Sequence, residues 1–166
     1  MAANGFLTFF DKADGESNQK GHEKWVELLG WDWEVEAESS WTKGGGASVG
    51  KPNPGRLTFV SAYNRASNVA LGYICTGRSF PTIQIDMTRV TGSGKPEAYF
   101  VMTMTGVFVT KVSLAASDDG QVSQRVELIF KTVAIDYKAQ DLKTGALGAA
   151  ASFNWDIPAG TASPSA

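Results

Sequence analysis

Apolar residues along this chain recur mostly at every second position, and Val, Ile, Thr, Phe and Tyr crowd the stretches where they do. Period two is the pattern of a strand that buries one face, so the chain reads as mainly β. The clearest case sets Leu29, Trp31, Trp33, Val35 and Ala37 against Gly30, Asp32, Glu34, Glu36 and Glu38, one face apolar and the other acidic. Further strands are expected at residues 5–11, 56–63, 82–90, 98–114, 122–139 and 152–157, separated by Gly, Pro, Asn or Asp clusters. The second face of segment 98–114 is not simply polar, since it carries Tyr99, Val101, Phe108 and Val112. Asp119-Gly120 is a hairpin-turn signal. From Val126 the inward positions run Val126, Leu128 and Phe130, then Val133, Ile135 and Tyr137, a one-residue phase shift that a β-bulge near Lys131-Thr132 would absorb.

Only residues 67–76 have helical spacing, with Ser67 placed to cap, Val69/Tyr73 and Ala70/Ile74 as i, i+4 pairs, and Gly77 after the end. Residues 39–55 hold Gly and Pro without alternation and read as a long loop, of a kind that is usually functional or disordered. The expectation is one domain over 1–166, with an ordered core at about 5–158 and a frayed tail at 159–166. The fold expected is a compact β-barrel of two packed antiparallel sheets, one short α-helix and a long extended loop.

Composition narrows the chemistry. The chain has 166 residues, 43% hydrophobic and 19% charged, and a net charge of -2, so it has no basic excess for nucleic acid or anionic lipid. A single Cys75 and a single His22 argue against an intrachain disulfide and a histidine-rich metal site. No secretory signal is readable before the acidic residues that follow Phe10, and the longest nearly apolar run, 100–109, is about half the ~20 residues that span a bilayer. No cofactor, catalytic residue or metal ligand is expected.

Three patterns imitate active sites. Gly45 to Lys51 reads G-x-x-x-x-G-K, but Pro52 stands where a phosphate loop needs a hydroxyl, and Pro52-Asn53-Pro54-Gly55 cannot continue into a helix. Gly46 to Gly50 matches G-x-S-x-G, yet the lone His22 lies upstream, against the Ser, acid, His order of that fold. Glu34, Glu36 and Glu38 have the spacing of glycosidase carboxylates, but a solvated strand face has it too. His22 reads as a turn residue. Trp31, Trp33 and Trp155 share faces with core aliphatics, which leaves Trp41 as the exposed anchor for a partner.

Four stretches taken together resemble the haemolysin-coregulated protein (Hcp) family, the tube protein of bacterial type VI secretion systems. They are Asp14-Gly15-Glu16-Ser17 with Gly21-His22; Leu29-Gly30-Trp31-Asp32-Trp33 with the Gly-rich segment after it; Cys75-Thr76-Gly77 ahead of Phe80-Pro81; and the run from Val126 to Gln140, closed by Trp155 and Ile157. The resemblance covers about residues 5–158. It implies a barrel with one helix on its side, six copies closing into a ring, and rings stacking into a hollow tube that a contractile sheath drives out behind a spike. It also implies no catalytic residues, a lumen in which some members of the family hold small effector proteins, and a cytoplasmic protein that the apparatus secretes; with the charge balance above, neither nucleic acid nor membrane insertion is expected.

On this resemblance Asp32 is expected to face the lumen. Trp41, Lys43, Val49, Lys51, Pro52, Asn53 and Pro54 are the expected ring-stacking positions, although Trp41, Lys43 and the Pro52-Asn53-Pro54 run match no family motif. The competing reading is a carbohydrate-binding β-module, with an enzyme third.

Overall fold

Each alternating segment becomes a strand because it has one apolar face to bury. In the computed structural model, which describes residues 4–42 and 45–164, the strands are β1 (Gly5–Thr8), β2 (Val26–Asp32), β3 (Val35–Thr42), β4 (Gly46–Pro54), β5 (Leu57–Ala62), β6 (Ser79–Val90), β7 (Pro96–Ala116), β8 (Val122–Ile129), β9 (Thr132–Gln140), β10 (Leu147–Asp156) and β11 (Thr161–Pro164). One helix, α1 (Arg65–Thr76), and a 3₁₀ turn at Phe10–Lys12 complete the described elements. Antiparallel pairing in the order β7-β6-β1-β2-β5-β8 returns from β8 to β7 and closes a six-stranded barrel. β9, β10 and β11 extend from β7 as a flap, and β3 and β4 pair only with each other.

Closure depends on β7. Phe100 to Thr105 pair with β9, whereas Phe108 to Ala116 pair with β8. The exchange falls at Gly106, whose φ of 60° suits glycine and whose missing Cβ would sit 2.8 Å from the Lys131 stem. Lys131 donates its N–H to Thr105 O at 2.9 Å. The break at Phe130-Lys131 absorbs the expected phase shift: Val126, Leu128 and Phe130 are buried, and burial resumes at Val133. A second irregularity opposite Glu127, between Val109 and Lys111, turns Val112 onto the core while Phe108 stays 37% exposed, so these two do not share the outer face expected of them.

The barrel is filled by Leu7, Phe59, Phe80, Ile83, Ile85, Met102, Met104 and Leu128. α1 packs against β7 through small buried residues, Ala66, Ser67 and Ala70, which let backbone approach backbone. Tyr73 stacks on Phe80 with ring centroids 4.1 Å apart. The cap is Asn64 rather than Ser67: the Asn64 side chain accepts from Ala66 N–H, and Ser67 Oγ, three residues on, accepts from Asn64 N–H to complete a capping box. Gly77 ends the helix at φ 69°, as its position suggests.

Three other segments depart from the sequence pattern. A register shift between Leu28 and Gly30 leaves Leu29 73% exposed, while Val26 and Leu28 are buried and Trp31 and Trp33 pack against the core. Val35, expected inside with them, is 45% exposed in the separate β3. Within the segment 39–55 expected to be a loop, residues 39–42 and 46–54 belong to a β-ribbon, because the β3–β4 pairing satisfies the backbone that the missing alternation seemed to leave free. The tail expected to fray turns at Gly160, and Thr161–Pro164 pairs along Phe153 to Asp156.

His22 does more than turn the chain. Its ring stacks on Phe6 at 4.6 Å and meets Trp25 edge-on at 4.7 Å, and Nε2 lies 2.8 Å from Asp86 Oδ2. Gln84 Nε2 donates to the other Asp86 oxygen at 2.8 Å. This pins the segment between β1 and β2 over Phe6, which is 1% exposed although it lies on the outer face of β1. Gly15 donates to Lys24 O at 2.7 Å, and a Cβ there would stand 2.4 Å from Trp25 O, so the Asp14-Gly15 step needs a glycine.

Two consequences are measurable. Asn64→Ala removes the cap and is expected to lower unfolding stability by about 1 kcal/mol, with Ser67→Ala adding less than its own single effect in a denaturant double-mutant cycle. Asp86→Ala leaves His22 Nε2 and Gln84 Nε2 without their acceptor and is expected to cost about 1–3 kcal/mol. The Gly15 and Ser17 amides should then lose hydrogen-exchange protection before the barrel does.

Candidate functional site

The β3–β4 ribbon leaves the barrel between β2 and β5 on a clamped base. Trp33 Nε1 donates to Gly55 O at 3.1 Å, Gly55 N–H donates to Glu34 O at 2.8 Å, and the Trp33 ring packs 5.5 Å from Phe130 and 6.5 Å from Trp155. In register, Val35 faces Pro54, Ala37 faces Pro52, and Ser39 faces Val49, with one extra residue on β4 between the last two pairs. The parity of a strand then sorts the ribbon into two faces. Val35, Ala37, Val49, Pro52 and Pro54 share one, and Glu36, Ser40, Ser48 and Asn53 the other, where Ser40 Oγ and Ser48 Oγ meet at 2.7 Å.

The expected stacking positions therefore divide. Val49, Pro52 and Pro54 belong to the apolar face, Val49 being 72% exposed, while Asn53 pairs with Glu36 on the polar one. Lys51 lies at the irregular step of β4. Trp41 pairs with Ala47 in backbone register, and Lys43 lies outside the described residues. The two prolines also remove N–H donors from β4, which blunts its use as an edge for further pairing.

Asp32 ends β2 exposed to solvent, in a cross-strand row with Thr58, Glu127 and Lys111. Arg56 Nη1 stands 3.6 Å from Glu127 Oε2, and the next row carries Arg125. The outer face around Asp32 is thus mixed in charge rather than acidic. That was not legible from β2 alone, because the cations come from Arg56 just ahead of β5, from β7 and from β8.

The imitations of active sites dissolve in the geometry. Residues 46–50 lie within extended β4 with no helix after them, and Ser48 bonds to Ser40 while His22 is held by Asp86. Among the described residues no group of His, Cys, Asp and Glu could hold a metal ion. The carboxyls held below their ordinary values are turn caps. Asp119 is lowered by the Ser117 hydroxyl and then Gln121 N–H, Asp141 by Thr144 and Lys143 N–H, and Glu23 by its own N–H and that of Gly21. Two surface hollows stand out: one of about 360 Å³ lined by Thr103, Thr105, Thr132 and Asn154 among others, and one of about 650 Å³ beside the β6–β7 turn. Among the described residues no helix is long and apolar enough to cross a membrane.

The Asp86 partnership escaped the sequence reading, since Asp86 merely takes its turn on the polar side of an ordinary strand. Only the fold of the preceding segment over β1 gives it a role.

Comparison with curated proteins finds no match. Among solved structures, the chain is similar to Hcp1 from Salmonella typhimurium, with 28% identity, a TM-score of 0.76, and coverage of 98% of this chain and 100% of that one. It also shares its fold with a structure described as a type six secretion system protein (24% identity, TM-score 0.88, 98% and 100% coverage). A third, a type VI secretion system effector from Yersinia pestis, has 23% identity and a TM-score of 0.70 over 92% of this chain and 99% of that one. The family model described as "Type VI secretion system effector, Hcp" matches residues 6–137, so a chain whose barrel, helix and β8–β9 phase shift agree with that resemblance belongs to the Hcp family of type VI secretion.

Proposed function

We propose that the protein is the tube subunit of a type VI secretion system, six copies forming a ring and rings stacking through the ribbon. Its partners are further copies of itself, the spike and sheath of the apparatus, and effector proteins carried in the lumen. It resides in the cytoplasm until the apparatus secretes it. The observation that carries this reading, beside family membership, is the ribbon itself. A two-stranded ribbon is marginal alone in water, and this one exposes an apolar face with Val49 72% and Val35 45% accessible. Covering such residues contributes on the order of 1.5–3 kcal/mol each, and six ribbons acting together make a firm junction from weak single contacts. A contact between two different surfaces closes into a ring when its rotation permits.

Against the carbohydrate-binding reading, Trp31 and Trp33 pack against the core and Trp155 is buried, so none of these three offers a sugar-stacking face. Asp32 is proposed to line the lumen, within a mixed row rather than an acidic belt.

Native mass spectrometry at micromolar concentration is expected to give a hexamer, and a persistent monomer would falsify the ring. Asp32→Lys is expected to leave the hexamer intact and to weaken co-purification of basic cargo several-fold at low salt, with the effect shrinking at high salt. Unchanged cargo retention would remove Asp32 from the lumen.

A further inference from the structure

The chain has four methionines, and they differ in access. Met102 and Met104 fill the barrel with no exposed surface, and Met1 lies outside the described residues. Met87, near the end of β6, is half-buried and stands outside the core cluster. In register it faces Gly5 of β1 and Phe100 of β7, and the β6–β7 pairing slips directly after it. Its sulfur accepts the indole N–H of Trp31 at 3.3 Å. On the β1 side the sulfur lies so near Gly5 that even a Cβ there would stand 3.0 Å from it and 3.5 Å from Leu28 Cβ.

Trp31 is the other half of this contact. Its ring packs against the core 5.6 Å from Phe100, and two residues further on Trp33 holds Gly55 O at the ribbon base. A thioether is a weak acceptor, so the N–H···S contact positions the indole without locking it. Oxidation changes that geometry, because a sulfoxide oxygen stands one bond length beyond the sulfur and is polar where the thioether was not. Placed toward Trp31, it lengthens the bridge and pushes the indole away from Phe100. Placed toward Gly5, it meets the β1 backbone on the tight side. Either position strains the junction of β1, β2 and β6.

We propose that Met87 is an oxidation switch: a hydroperoxide converts it to the sulfoxide ahead of the buried methionines, and the added oxygen displaces Trp31 and loosens the end of β2 from which the ribbon springs. The step is a two-electron oxygen transfer. A sulfur lone pair attacks one peroxide oxygen, and the sulfur–oxygen bond forms as the oxygen–oxygen bond breaks. With hydrogen peroxide the leaving oxygen takes up the proton and departs as water, so the sulfide is oxidised and the peroxide reduced. A thiol-driven sulfoxide reductase reverses the change. The proposal rests on the secretion reading above only for its setting, in which a chain folded in the cytoplasm meets oxidants after export.

The test uses the full-length protein carrying Cys75→Ser, because the exposed Cys75 thiol also reacts with peroxide. Under dilute hydrogen peroxide, peptide mass spectrometry is expected to show Met87 gaining one oxygen at least tenfold faster than Met102 and Met104. Hydrogen exchange at the Leu28–Asp32 amides and at Gly55 should then quicken at least fivefold, and methionine sulfoxide reductase with dithiothreitol should restore the original rates. Met87→Leu, a swap of similar volume, should keep its protection through the same treatment. Equal oxidation rates for the three methionines overturn the switch, as does unchanged exchange in protein fully oxidised at Met87. Loss of protection in peroxide-treated Met87→Leu places the damage elsewhere and overturns it too. All of this is read on the chain itself, so a protein that never forms rings overturns the tube reading while the switch stands or falls on the same two measurements.

Discussion

Every backbone donor and acceptor of a strand needs a partner, and β7 meets that demand from two different neighbours. Its first half is held between β6 and β9, and its second half is taken over by β8. The exchange at Gly106 lets one chain both close a barrel and leave a flap standing beside it. A side chain at Gly106 would oppose both a positive φ and the Lys131 stem that fills the corner. The β8–β9 phase shift is the same event seen from the other strand, since the connecting Phe130-Lys131 has to cross from the barrel to the flap where β7 changes partners.

The flap then braces the base of the ribbon. Trp155 on β10 and Phe130 at the corner support Trp33, and Trp33 supports the ribbon base. Beyond Gln140, the β9–β10 turn closes against the β6–β7 turn. The aromatic residues Trp33, Phe130 and Trp155 are spent as struts between barrel, flap and ribbon. The chemistry left at the surface is charge and small apolar area, which suits repeated copies meeting over broad faces rather than a small molecule in a cleft.

Over the segment from Gly15 to Trp25 the backbone is too close for a Cβ at Gly15, and His22 is held against Asp86. The segment thereby shields the outward-pointing Phe6, and the barrel carries buried residues on both faces of β1. The Asp14-Gly15-Glu16-Ser17 and Gly21-His22 stretches that carried the family resemblance thus have a structural reason to be there.

The sequence by itself determined the β class, the sites of most strands, the helix with its glycine stop and the β8–β9 phase shift. All of these follow from period, turn chemistry and the order of residues, which are local. It misplaced Leu29, read the ribbon as a loop, capped the helix one turn late at Ser67 and freed a tail that is partly strand. Each error has the same source: a bulge, a strand pairing and a cap depend on which backbone groups find partners, and those partners lie elsewhere in the chain. Only the tertiary structure decided that His22 meets Asp86 and that Arg56, Lys111 and Arg125 surround Asp32, because each joins residues whose separation in sequence carries no signal of their separation in space.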